Sequence, residues 1–179
     1  MESLSEEIVE KLNTKFGVKG QRHSRDDFTE TPCFEWPLID NNNFLFGWDE
    51  YLIAKLYEVR DLLKGDPVFA YFSVISSNFG GGPGFVVAPV VDQFDILRIE
   101  ETGGNNVWLD TDDIIEKLRF FDQEFGVDIL SANGSGVLFK VVRSPQGQAA
   151  EELMDWVERF WAMEYERPDD LHRVALWWD

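Results

Sequence analysis

Apolar residues recur at helical spacing in four parts of the chain. The first stripe lies between a Ser3-x-x-Glu6 capping box and Gly17, a residue type that commonly ends helices. The same spacing predicts three further helices, which cover residues 48–64, 110–125 and 147–166. Each of these helices has one apolar face and therefore needs another element to pack against.

Runs of β-branched and aromatic residues predict five strands. Two pairs of runs flank glycine-rich turns and are expected to form hairpins, and the fifth run comes last in the chain. The strands are expected over residues 68–75, 85–91, 127–132, 137–142 and 173–178. Residues 94–100 are expected to form an extended or short helical segment. This order predicts an α+β fold, with a mainly antiparallel sheet packed with about four helices in a single domain.

The periodic pattern breaks down between the first helix and the second. Residues 18–37 are mostly charged and polar and end in an aromatic segment around Phe34 and Trp36, which predicts a long connecting loop with an extended insertion. We therefore expect residues 1–37 to form an N-terminal helix and connecting loop. Residues 38–179 are expected to form the α+β main body of one globular unit.

The chain is strongly acidic. It has 34 acidic and 16 basic residues among 179, a formal net charge of −18, and 44% hydrophobic residues, which suffice for a packed core. The charge repels phosphate backbones and anionic lipids, so nucleic-acid and membrane binding are not expected. Residues 1–90 hold 8 basic and 14 acidic side chains, whereas residues 91–179 hold 8 and 20. The excess either serves solubility or attracts a basic protein partner.

The single cysteine, Cys33, excludes an intramolecular disulfide and a cysteine-based zinc cluster. The first residues are acidic and lack the basic and apolar regions of a secretion signal, and every apolar run is too short to span a bilayer. We therefore expect a cytoplasmic protein. The sequence leaves its oligomeric state open.

Two segments begin like ligand-binding loops without completing them. The glycine-rich segment at residues 80–84 lacks the Lys-Ser/Thr of a phosphate-binding loop and precedes a strand. Asp110, Asp112 and Asp113 begin like a calcium loop, but its glycine and closing glutamate are missing, so helix capping is the preferred interpretation. No cofactor and no metal are predicted, and a weak surface cation site at residues 110–113 stays open as an alternative.

The sequence offers no catalytic constellation. His23 and His172 stand far apart in the chain, and neither has a Ser, Cys or second His at the spacing of a triad or metal pair. Both are interpreted as surface or capping residues, and Cys33 as a buried, inert thiol. We expect a protein that is not an enzyme. A carboxylate- or metal-dependent enzyme stays an alternative, because carboxylate pairs formed in three dimensions leave no sequence signal.

The last predicted helix carries an acidic face opposite its apolar stripe. The acids continue beyond the helix, and Trp156 and Tyr165 stand among them as candidate aromatic anchors. This face is either a solvated surface or a contact surface for a basic partner. The predicted partner-binding residues are Glu151, Glu152, Asp155, Trp156, Glu158, Tyr165, Glu166, Asp169 and Asp170.

Three segments of the C-terminal half carry a family resemblance. They are Asp92-Gln93-Phe94-Asp95-Ile96-Leu97-Arg98, the stretch from Gly104-Asn105-Asn106 to Leu109-Asp110-Thr111-Asp112-Asp113-Ile114-Ile115, and Leu176-Trp177-Trp178-Asp179. In this order they resemble a bacterial domain-of-unknown-function family that ends in Trp-Trp-Asp. The chain departs from it at Glu166-Arg167-Pro168-Asp169-Asp170, where the family has a Cys-Pro-Asp segment. The resemblance implies an α+β fold and brings no catalytic residues.

An acidic, aromatic-rich domain without catalytic motifs is also similar, at the level of class, to immunity proteins of polymorphic bacterial toxins. We therefore expect an acidic protein-binding module, and most specifically an immunity protein that binds and neutralises a cognate basic toxin domain. Two alternatives stay open, namely a regulatory inhibitor that mimics nucleic acid and the carboxylate- or metal-dependent enzyme.

Overall fold

The computed structural model describes the chain in segments that belong to two compact units. The described residues are 4–24, 30–38, 50–75, 82–103, 109–143, 151, 155, 164–166 and 173–178. One unit comprises Met1–Ile96 and the other Leu97–Asp179. Within these described residues, each unit has four strands in antiparallel pairs, together with helices. The predicted α+β class with mainly antiparallel sheet is confirmed, and the expected division into residues 1–37 and 38–179 stays a prediction.

The described part of the N-terminal unit contains the two helices α1 and α2 and four strands, which pair in the order β1-β2-β4-β3. A short helix, α3 (Asp95–Glu100), begins at the end of this unit. The other elements are α1 (Glu6–Phe16), β1 (Gln21–Ser24), β2 (Glu30–Pro37), α2 (Glu50–Leu62), β3 (Phe69–Ile75) and β4 (Gly82–Ala88).

Helix α1 forms where its apolar stripe predicts, with Ile8 and Leu12 buried. Its N-cap is Ser5, whose hydroxyl accepts a hydrogen bond from the Ile8 N–H at 3.4 Å, so the predicted capping box at Ser3 is wrong. Gly17 ends the helix in the left-handed conformation, at φ 66°, as predicted. The local rules located both ends of the helix to within two residues.

The predicted loop is wrong at residues 21–24 and 30–37, where β1 and β2 pair antiparallel, whereas the expected extended conformation around Phe34 and Trp36 is confirmed by β2. The strand pattern is hidden because polar residues occupy its inward positions: His23, Thr31 and Glu35 are all buried. The Thr31 hydroxyl donates to the His23 carbonyl oxygen at 2.9 Å and accepts from the Cys33 N–H at 3.3 Å. Hydrogen bonding, more than apolar alternation, defines this hairpin.

An aromatic cluster joins α1 to one face of the strands. The ring of Phe16 lies 5.8 Å from that of Trp36 and 4.9 Å from that of Phe85, and Trp36 is fully buried. The indole Nε1 of Trp36 donates to Asn13 Oδ1 at 3.1 Å. A Cβ atom at Gly20 would lie closer to the Trp36 ring than van der Waals contact allows, so only glycine fits there.

Strand β4 lies three residues nearer the N-terminus than predicted. Its pairing with β3 runs from Phe69 opposite Ala88 to Ile75 opposite Gly82, so the glycine-rich start of the strand is part of the ladder. The sequence places residues 80–84 in a loop because glycine is unfavourable in strands. Cross-strand pairing overrides that local preference.

The C-terminal unit pairs its strands in the order β5-β6-β8-β7. The helix over residues 111–125 and the hairpin that follows it are confirmed. The elements are α4 (Thr111–Phe125), β5 (Val127–Asn133), β6 (Gly136–Val141), β7 (Glu164–Glu166) and β8 (Arg173–Trp177).

The inward stripe of α4 packs on the strands of its own unit. Ile114, Ile115 and Leu118 are buried, and the ring of Phe121 meets that of Phe139 on β6 edge-on at 5.5 Å. Gly126 ends the helix as predicted, at φ 72°, and a Cβ atom there would lie 2.8 Å from the Val142 Cβ. This glycine is required by both its backbone conformation and its surroundings.

Residues 164–166 form strand β7, so the predicted helix over residues 147–166 is wrong at its C-terminal end. Glu164 pairs with Trp177 and Glu166 with Ala175. Strand β8 therefore lies between β6 and β7. Trp178, which follows β8, is buried, and its backbone N–H donates to the Ser135 carbonyl oxygen at 2.7 Å. Within the described part of the chain, no helix is long and apolar enough to cross a membrane.

Candidate functional site

The outward face of α4 presents an aromatic side chain between carboxylates. Glu116, Phe120 and Glu124 follow one another at four-residue spacing, which places them along one side of the helix, and Asp113 precedes Glu116 by three residues. The three acids are exposed, and Phe120 keeps 50% of its surface exposed. We call Asp113, Glu116, Phe120 and Glu124 the α4 surface.

The sequence of α4 explains both of its faces. The neighbouring ring, Phe121, points inward to Phe125 and Phe139, so Phe120 is turned away from the core by about 100°. The helix carries five acidic and two basic residues, which leaves its surface negative. A half-exposed aromatic ring between two carboxylates on one side of a helix can contact an apolar or cationic group of a partner, while the carboxylates pair with lysine or arginine.

The start of α4 is fixed by two interactions of its aspartates. Asp110 is the N-cap, and its Oδ1 accepts from the Asp113 N–H at 2.9 Å, which confirms the predicted capping role. The guanidinium of Arg98 donates to Asp112 Oδ1, with Nε at 2.9 Å and Nη2 at 2.8 Å. Among the residues that the structure describes, no group of three or more His, Cys, Asp or Glu side chains is arranged to hold a metal.

The predicted partner-binding residues are described only in part. Glu151 and Asp155 are helical and exposed, one turn apart, as expected for an outward face. Tyr165 and Glu166 lie on β7 and not on the predicted helix, because this segment pairs with β8. Pairing of these three residues with β8 outweighs the local helical pattern there. The remaining predicted residues, Glu152, Trp156, Glu158, Asp169 and Asp170, lie outside the described residues, as does His172.

A buried polar cluster in the N-terminal unit was not foreseen from the sequence. His23 Nδ1 lies 2.6 Å from Glu35 Oε2, and the amide of Gln21 donates to Glu35 Oε1 at 2.7 Å. The side chains of His23 and Glu35 are both fully buried. The interpretation of His23 as a surface or capping residue is therefore wrong, because the β1–β2 hairpin brings it across from a carboxylate.

This cluster has the composition of a catalytic group but not its accessibility. Cys33 lies on the same strand as Glu35, two residues before it, and so on the same face of the hairpin. Its thiol is fully buried, as predicted. In a catalytic site, a carboxylate that hydrogen-bonds to a histidine orients the imidazole ring for proton transfer to or from a bound substrate. Complete burial of these three side chains instead favours a structural hydrogen-bond network.

Comparisons of the chain with protein families, with curated proteins and with solved structures give no match.

Proposed function

We propose that this protein is an acidic protein-binding module, and most specifically an immunity protein that binds and neutralises a cognate basic bacterial toxin domain. The observation that carries this proposal is the α4 surface, where Phe120 is half exposed between Glu116 and Glu124 on a chain with a net charge of −18. Exposed aromatic rings at the centre of a charged surface are typical anchors of protein interfaces.

The charge and the ring have separate roles in this mechanism. The negative field, which is stronger in residues 91–179, accelerates encounter with a basic partner and gives the association rate a dependence on salt. Once docked, Phe120 enters a pocket of the partner, and the flanking carboxylates pair with its lysines or arginines. Neutralisation follows if the covered surface of the toxin includes the groups that perform its reaction.

The exposed helical residues Glu151 and Asp155 support a second contact of the same kind. They belong to the same unit as α4 and add negative charge to it. We therefore assign the interface of the proposed partner to the C-terminal unit. The N-terminal unit is expected to tolerate charge reversal at its exposed acids without loss of binding.

The test begins with tagged protein as bait in lysate of its native host, at low and at moderate salt. A basic protein retained at low salt is identified by mass spectrometry and then expressed alone and together with this protein. The proposal predicts that the partner arrests growth when expressed alone and that co-expression restores growth. A retained protein that is harmless, or growth arrest that co-expression leaves unchanged, would contradict the immunity function.

A further inference from the structure

A pocket of about 320 Å³ lies within the N-terminal unit, between α1, α2 and the strands. Its inner wall is apolar and includes Phe16, Val59 and Phe85, of which the last two are buried. Its rim carries Lys15, Lys55 and the partly exposed Tyr51. The pocket therefore joins an aromatic interior to a cationic entrance.

The cations at the entrance are held in place by one shared carboxylate. Lys15 Nζ lies 2.8 Å from Glu58 Oε2, and Lys55 Nζ lies 2.9 Å from Glu58 Oε1. Two ammonium groups thus face one carboxylate, so these three side chains together carry one net positive charge in a chain that is otherwise strongly acidic. Each ammonium has three N–H donors, so both lysines keep donors for a second anion beside Glu58.

We propose that this pocket binds a small organic carboxylate with an aromatic or apolar tail. The tail packs against Phe16 and Phe85, and the carboxylate accepts hydrogen bonds from Lys15 and Lys55 at the rim. The volume is at the lower end of the range for small-molecule sites, which is roughly 300–1,000 Å³, and so selects a compact ligand. This site lies apart in sequence from the α4 surface and goes beyond the proposed partner binding.

The probes are 3-phenylpropionate and its neutral amide, titrated into the full-length protein by calorimetry and by ¹H–¹⁵N NMR. We expect saturable binding of the carboxylate, shifts centred on Phe16, Leu52 and Val59, and an affinity about tenfold higher than that of the amide. The Lys15→Gln/Lys55→Gln variant is expected to lose that tenfold advantage. The matched control, Lys19→Gln/Lys64→Gln, removes the same charge from exposed positions outside the pocket lining and is expected to bind as the unmodified protein does.

Thermal unfolding of each variant separates loss of the site from loss of the fold. If the double variant fails to fold, the single variants Lys15→Gln and Lys55→Gln replace it, since each keeps one pair to Glu58, and each is expected to weaken the carboxylate about threefold. The proposal is overturned if neither 3-phenylpropionate nor its amide binds saturably. Equal affinity for carboxylate and amide, or shifts that lie outside the pocket, overturn it as well.

Discussion

His23 Nδ1 lies 2.6 Å from Oε2 of Glu35, and both side chains are shielded from solvent. The pair joins β1 to β2 inside the N-terminal unit, and Gln21 supplies a further hydrogen bond to the same carboxylate. A buried carboxylate is tolerated only when its oxygens are satisfied, so each partner depends on the other.

Removing both partners of this pair should destabilise the protein by less than the sum of the two single losses. His23→Leu and Glu35→Leu each leave a buried polar group without its main partner, and each should lower the free energy of unfolding by about 3 kcal/mol. The double variant should lose less than the sum, with a coupling of about 2 kcal/mol. Urea unfolding of all four proteins measures this, and strictly additive losses would show that the pair does not interact.

Gly20→Ala should destabilise the protein by about 1–3 kcal/mol, because the added methyl group would meet the buried Trp36 ring. Asn13 accepts from both the Gly20 N–H and the Trp36 indole, so displacement of the ring also disturbs those bonds. Urea unfolding gives the loss, and tryptophan fluorescence of the folded state reports a shift of the ring. Lys19→Ala is the exposed neighbour control and should stay within about 0.5 kcal/mol of the unmodified protein.

The cap of α4 is tested by Asp110→Ala and Asp110→Asn. Alanine removes the oxygen that accepts from the Asp113 N–H, and should lower the free energy of unfolding by about 1 kcal/mol. Asparagine keeps an accepting oxygen and should recover most of that loss. Thermal or urea unfolding distinguishes the two variants. Equal losses for both would mean that the charge of Asp110, through the helix dipole, matters more than its hydrogen bond.

The cluster of Lys15, Lys55 and Glu58 should contribute stability only while Glu58 is ionised. The hydrogen bond from Lys15, followed by that from Lys55, lowers the pKa of Glu58 below its ordinary value of 4.5, and the hydrogen bond to Glu58 raises the pKa of Lys55. A lowered carboxyl pKa gives stability that is present above the unfolded pKa and lost as pH falls through the folded pKa. Glu58→Gln should therefore be less stable than the unmodified protein at neutral pH.

The difference between Glu58→Gln and the unmodified protein should disappear at pH values below the folded pKa of Glu58. Urea unfolding from pH 7 down to pH 2 measures this dependence, and NMR titration of the Glu58 carboxyl group measures its pKa directly. In Lys15→Gln/Lys55→Gln that pKa should return toward 4.5. A stability difference independent of pH would assign the effect of Glu58 to packing.

Helix α4 and the hairpin after it were predicted because their signals are local. Asp110 and Gly126 mark the helix ends, and the Asn133 to Gly136 turn sets the register of β5 and β6. The β1–β2 hairpin was missed because its inward positions hold His23, Thr31 and Glu35, which strand patterns normally place outside. Strand β7 was missed because pairing with β8, a tertiary interaction, determines its conformation.

The candidate binding surface could likewise be predicted only in part from the sequence. The acidity of the C-terminal half is visible in composition, but the exposure of Phe120 is not, because two adjacent phenylalanines differ only in which one the strands bury. The prediction that partner contacts lie on an acidic, aromatic-containing helix face therefore concerned the last helix alone. The α4 surface is recognised only once the packed structure shows that Phe120 is exposed.

Binding of the captured basic partner to variants of the α4 surface shows whether this surface is the contact site. Phe120→Ala should weaken binding about thirtyfold, or about 2 kcal/mol, and Glu116→Lys/Glu124→Lys should slow association about tenfold at low salt and less at moderate salt. Glu7→Lys/Asp61→Lys, a matched reversal at exposed residues of the N-terminal unit, should bind nearly as well as the unmodified protein. Equal binding by all of these folded proteins would contradict the α4 surface as the contact site.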